Sequence, residues 1–169
     1  MSTPPLPGVR PATREDRAAI AAIYNAAIAE RASTFETRPR MPEDIDAWLG
    51  KRHPVLVAEE DGRVIAYAAT GAYSPRECYA GVADFSIYVA PEARGRSVGQ
   101  HVLQALLKEA EAAGFHKLTS RVFATNVRSR ALLGRLGFRE VGVHEKHAPL
   151  EGVWHDVVVV EKLLLANVR

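Results

Sequence analysis

The stretch from Asp84 to Ala113, DFSIYVAPEARGRSVGQHVLQALLKEAEAA, constrains this chain more than any other. Its pattern predicts a strand, a tight turn rich in glycine and arginine, and a long helix. That order builds an anion site. The N–H groups of a helix's first turn have no partner within the helix, and that end of its dipole is positive. Gly95 and Gly99 let backbone come close to a ligand, and Arg94 and Arg96 bring positive charge. A diphosphate is the ligand that suits such a turn best. Along the helix, Val98, Val102, Leu106 and Ala110 form one apolar stripe, widened by Leu103 and Leu107. Gly114 ends it as a C-cap.

Taken alone, the hexapeptide Arg94 to Gly99 is also compatible with a plain strand-to-helix turn carrying solvated arginines. It is not a Walker A loop, because no Gly-Lys-Ser/Thr follows. It is not the dinucleotide fingerprint either, because its strand comes late in the chain and no acidic residue follows at the required distance. The remaining sequence narrows the choice. The chain has 169 residues, enough for one domain with a sizeable core. Its formal charge of +2, from 22 basic and 20 acidic residues, is too small to argue for nucleic acid. The one cysteine, Cys78, excludes an internal disulfide and a cysteine metal cluster, and fits a reducing cytoplasm. No apolar run approaches the ~18 residues of a spanning helix. The start, MSTPPLPGVR, lacks the apolar core of a secretory signal.

In chain order, residues 1–8 are expected to be a disordered lead-in, and 9–169 one domain. Val9 to Ala12 reads as a strand. Thr13 with Asp16 reads as a capping box opening a helix to Arg31, with Ile20, Ile23, Tyr24, Ala27 and Ile28 on its apolar face. A second helix is expected over Pro42 to Arg52. Pro54 to Glu60 and Arg63 to Tyr73 pair as a hairpin around Asp61-Gly62. Tyr79 to Val89 is a third long strand, His116 to Ala124 a further strand, and Asn126 to Leu136 a short helix. Arg139 to His147 and Trp154 to Leu165 close the chain as strands. The expected fold is α+β: a mixed, mostly antiparallel sheet with helices on both faces.

The segment Ile87-Tyr88-Val89, Pro91 and Arg94 to Gly99 resembles the acyl-coenzyme A motif of the GNAT superfamily of N-acetyltransferases. Ser97 stands where that motif has glycine; a serine fits if its φ is negative. Asn126, Ser129, Ala131-Leu132 and Leu136-Gly137-Phe138 resemble the family's second signature. Ile23-Tyr24-Asn25, Ser33-Thr34-Phe35 and Trp154-His155-Asp156-Val157 are similar to the phosphinothricin, arsinothricin and methionine sulfoximine acetyltransferases within it.

The resemblance implies the GNAT fold and transfer of acetyl from acetyl-CoA to the α-amine of a small amino acid or analogue, in a homodimer with the pocket near its interface. It implies cofactor contacts from Ile87, Tyr88, Val89, Arg94, Gly95, Arg96, Ser97, Val98, Gly99, Gln100 and Asn126. By the same alignment Asp84, where relatives carry glutamate, takes the amine proton; otherwise it is a strand-end carboxylate capping backbone N–H groups. Arg76 aligns with a clamp for the substrate carboxylate, and Phe35 and Tyr79 with the walls of that pocket. Leu133 stands where many members have a tyrosine that protonates the leaving thiolate, so that step has no assigned acid. His155 reads as a packed strand histidine. His144 and His147, with Glu145, read as a surface strand and not a metal site. No metal is expected. Two alternatives remain at this point: a different acceptor (a polyamine, an aminoglycoside or a protein N-terminus), or a non-catalytic acyl-CoA-binding domain. A generic nucleotide-binding module is disfavoured by the missing Walker A and Rossmann context.

Overall fold

The computed structural model describes residues 5–169 of the chain. Seven strands form one sheet in the order β1-β2-β3-β4-β5-β7-β6. They are β1 (Gly8–Pro11), β2 (Val55–Glu60), β3 (Arg63–Ala72), β4 (Val82–Val89), β5 (Lys117–Phe123), β6 (Arg139–Leu150) and β7 (Val153–Leu163). Three α-helices cross it: α1 (Arg17–Glu30), α2 (Val98–Ala112) and α3 (Val127–Arg135). Every pairing is antiparallel except β4 with β5. The expected mixed α+β architecture is therefore the observed one.

Several boundaries move for local reasons. Residues 1–4 of the expected lead-in lie outside the described residues. Pro7 is buried, its carbonyl accepts from His101 Nε2 at 3.0 Å, and Gly8 already opens β1. The first helix begins as a short 3-10 turn, Arg14–Asp16. Buried Asp16 accepts from the Thr13 N–H at 2.7 Å and from both Arg10 terminal nitrogens at 2.8 and 2.9 Å. The second expected helix is a 3-10 helix, Pro42–Trp48, with one fully buried anchor, Ile45. Glu77–Tyr79 is likewise a 3-10 turn, so β4 starts three residues later than its apolar pattern suggested. Asp61 and Gly62 both have positive φ, 52° and 74°, the two-residue turn that matches strand twist.

Strand alternation sorts the core into two layers. Tyr67 of β3 pairs with Tyr88 of β4, and both stack toward Tyr24 of α1 and Trp48. Asp84 and Ser86 share that face. The opposite face of β4 carries Phe85, Ile87 and Val89. It meets α2, where a side chain at Gly99 would touch Val89 and Leu132 at 3.5 and 3.4 Å. The apolar stripe of α2, Val98, Val102, Leu106 and Ala110, is buried as its spacing requires.

The feature that makes a site is a fork. The parallel pairing of β4 with β5 ends at Asp84 and Thr119. Past that point the strands separate, and Ser120 Oγ donates to the Phe85 carbonyl at 2.8 Å across the crotch. The rest of β4 keeps β3 on one edge and opens the other.

Candidate functional site

One cavity, of about 610 Å³, lies where the opened edge of β4 meets α2 and α3. It is lined by Ile87, Tyr88 and Val89, by Arg94, Gly95, Ser97, Val98, Gly99 and Gln100, and by Asn126. Ten of the eleven cofactor positions read from the sequence thus converge. The exception is Arg96, whose guanidinium turns out to Glu60. Arg94 stays in the wall but is held bidentately by Glu30 of α1, at 2.7 and 2.8 Å. Both arginines of the turn are therefore neutralised. The attraction for an anion rests on backbone N–H groups and on Arg128 and Arg135 of α3, which line the same cavity. Asn126 caps α3, its Oδ1 accepting from the Ser129 N–H at 3.3 Å.

Ser97 departs from expectation in its backbone. It has φ 61°, in the left-handed region, and so adopts the conformation for which the motif's glycine is suited. The turn keeps its shape at a cost of order 1–2 kcal/mol, the usual penalty for a Cβ in that region.

A second cavity, of about 860 Å³, opens on the other side of β4. Asp84, Ser86 and Tyr88 supply its floor, Arg121 and Phe123 of β5 one wall, and Ser33, Thr34 and Phe35 another. Burial pushes the Asp84 carboxyl up from its ordinary range, and the charge of Arg121 pulls it part of the way back. A half-buried carboxylate of raised pKa is a better base near neutrality than a free one. Burial also pushes the Tyr88 hydroxyl up, so it stays protonated at neutral pH. Ser33 and Tyr88 line both cavities. The two spaces therefore meet near the C-terminal end of β4.

These features suit a diphosphate-bearing thioester on one side of the strand and an amine on the other. A sequence profile of the Acetyltransferase (GNAT) family matches residues 20–138. The chain belongs to this family. It is 32% identical over 158 residues to an L-methionine sulfoximine/L-methionine sulfone acetyltransferase of Pseudomonas paraeruginosa, covering 90% of this chain and 92% of that protein. It is 30% identical over 164 residues to a phosphinothricin N-acetyltransferase of Streptomyces coelicolor, covering 92% and 95%. Among solved structures it resembles a GNAT superfamily phosphinothricin acetyltransferase from Sinorhizobium meliloti in complex with AcCoA. That match has a TM-score of 0.89 at 28% identity and covers 95% of this chain and 89% of that one. The chain is thus an acetyl-CoA-dependent GNAT N-acetyltransferase.

The acceptor side of this GNAT enzyme differs from its sequence reading at three points. Arg76 and Tyr79 do not line the cavity that holds Asp84. They sit exposed beyond β3, the guanidinium 5.7 Å from the Tyr79 ring centre and that ring edge-on to Tyr73. Phe35 does line it, packed at 4.6 Å on Phe123. His155 is packed, as expected, stacked 4.5 Å from Phe123. His144 and His147 are exposed on strand β6, as read, and they also edge the cavity. Residues three apart on a flat strand face opposite ways. Here a bulge between His144 and Ala148, with Lys146 at φ 44°, brings both rings to one side, stacked 4.4 Å apart. Arg121 also went unread. Its signal was present: a charge two residues from Thr119 and two from Phe123, hence on one face with them, along a strand placed inside the sheet. Leu133 is buried and offers no acid.

Proposed function

We propose that this enzyme acetylates the α-amine of a small amino acid or amino-acid analogue, with Asp84 as the base. The printed activities of its relatives support that acceptor class. The observation that carries the reading is the junction of the two cavities at Ser33 and Tyr88, with Asp84 on the acceptor side and the opened edge of β4 on the donor side. Acetyl-CoA supplies the activated acyl group. The turn from Gly95 to Gln100, with Arg128 and Arg135, fits its diphosphate and terminal phosphate. A free N–H on the opened edge between Ile87 and Val89 polarises the thioester carbonyl.

On the acceptor side, the ammonium gives a proton to Asp84, directly or through one water. The neutral amine then attacks the carbonyl carbon, the new C–N bond forms, the C–S bond breaks, and the acylated nitrogen releases its second proton to solvent. Solvent returns a proton to the departing thiolate, because Leu133 leaves no side-chain acid at that position. The reading includes one domain over 9–169, a cytoplasmic setting and a homodimer. Exposed Val141, Val143, Val153 and Trp154 on the β6–β7 ribbon offer apolar surface to a second copy.

The test is thiol release from acetyl-CoA across a panel of amino acids, their analogues, polyamines and aminoglycosides. Turnover confined to α-amino acids supports the reading. Tight CoA binding without turnover of any amine in the panel would overturn it. A cationic acceptor such as a polyamine has less to recommend it, since Arg121, His144 and His147 line the cavity with basic groups.

A further inference from the structure

We propose that Arg121 is the residue that holds the acceptor's α-carboxylate, so that Asp84 and Arg121 together form a slot for a zwitterion. The inference rests on the proposed amino-acid acceptor and names the group that selects it.

Three observations on position carry it. Asp84 and Thr119 are register partners at the last rung of the parallel ladder. Arg121 lies two residues further along β5 and so shares the face of Thr119 and Asp84. Arg121 and Asp84 line the same cavity, just where the strands fork.

Among the described residues, ten arginines hold a carboxylate within 4.0 Å. Arg121 is one of seven that do not, makes no side-chain hydrogen bond, and is the one of those seven that lines the cavity of Asp84. Asp84 is near enough to feel its charge but does not pair with it. An anion and a cation held near each other without pairing match a ligand that carries the two opposite charges close together. In an α-amino acid the ammonium and the carboxylate are attached to one carbon. The guanidinium fork suits a planar carboxylate. Arg76, by contrast, is outside the wall and stacked on Tyr79.

The experiment compares an amino acid with the amine that lacks only its carboxylate, for example methionine sulfone and its decarboxylated amine. Wild type, Arg121→Met, Arg121→Lys and Arg76→Met are assayed for turnover and, by calorimetry on the CoA-loaded protein, for acceptor binding. Arg121→Met should raise the KM for the amino acid roughly 10- to 100-fold, the tenfold steps expected when a charge-assisted pair is lost. It should leave the KM for the decarboxylated amine and the Kd for CoA unchanged. Arg121→Lys should recover part of the loss, and Arg76→Met should not discriminate between the two acceptors.

A second readout uses pH. The groups facing Asp84 across the cavity are Arg121 from β5 and His144 and His147 from β6. Removing the guanidinium should move the acid limb of kcat/KM for the carboxylate-free amine to higher pH. Equal losses on both acceptors, or discrimination by Arg76→Met alone, would overturn the assignment. If wild type binds the amino acid without turning it over, the catalytic reading fails while the slot is still tested by binding. If wild type binds the decarboxylated amine as tightly as the amino acid, the slot itself is refuted.

Discussion

The donor and acceptor sides of β4 are built in different ways. The donor side is built around one stretch, the end of β4, its turn and the first residues of α2, with α3 and the end of α1 closing it. The acceptor side draws on β3, β4, β5, a bulge in β6 and the loop after α1. A contiguous site depends on local backbone chemistry, and its strength lies in N–H groups that no side-chain change removes. An assembled site depends on register, and single side chains decide its chemistry. The two sides should therefore respond oppositely to mutation.

The largest expected effect lies on the acceptor side. Asp84→Asn should lower kcat by about 10²- to 10⁴-fold, the range for loss of a positioned base, with CoA affinity unchanged. Activity of the variant near wild type would break the contrast. On the donor side, Arg94→Ala and Arg96→Ala should each change the Kd for CoA by less than about threefold, because Glu30 and Glu60 already neutralise them and exposed pairs contribute little. A large loss of CoA binding would show that side chains, and not backbone, hold the donor. Shape should matter more than charge there. Gly99→Ala should be near neutral, since its Cβ would meet Leu132 and Val89 at ordinary contact distances of 3.4 and 3.5 Å. Gly99→Leu should overpack the seam and cost about 1–3 kcal/mol in urea unfolding.

This contrast also explains what could be read from residues alone. The turn with its helix, and Asn126 with the residues that follow it, were legible because each is a local motif whose chemistry lies within a few positions. Only their φ angles and partners were hidden: Ser97 takes the left-handed conformation, and Arg96 turns away to Glu60. Asp84 was legible by alignment. Arg121, His144 and His147 were not, because facing the cavity depends on where the β4–β5 ladder ends and where β6 bulges. Those are long-range facts. The second helix was misread because seven residues with a proline start and one buried anchor fit a 3-10 helix as well as an α-helix.

Two smaller effects probe the scaffold that both sides share. Arg10 holds the Asp16 carboxyl below the usual carboxylate range. That depressed pKa stabilises the fold above the unfolded value of about 4 and is lost as pH falls through the native value. Asp16→Asn should therefore destabilise by about 1–3 kcal/mol at pH 7, with the gap to wild type closing in acid. An equal gap at pH 7 and pH 3 would contradict the assignment. Ser97→Gly should shift stability least, by up to about 1 kcal/mol upward, because relief of the left-handed strain is partly offset by the flexibility glycine adds to the unfolded chain. A loss of stability would show that the serine side chain makes a compensating contact.

The most direct measurement is the pH dependence of kcat/KM for wild type and Asp84→Asn with the best amino-acid acceptor. The account predicts an acid limb in wild type whose apparent pKa lies above the ordinary aspartate range, because burial disfavours the charged carboxylate, and the disappearance of that limb in Asp84→Asn. A limb of unchanged position and depth in the variant would contradict Asp84 as the base.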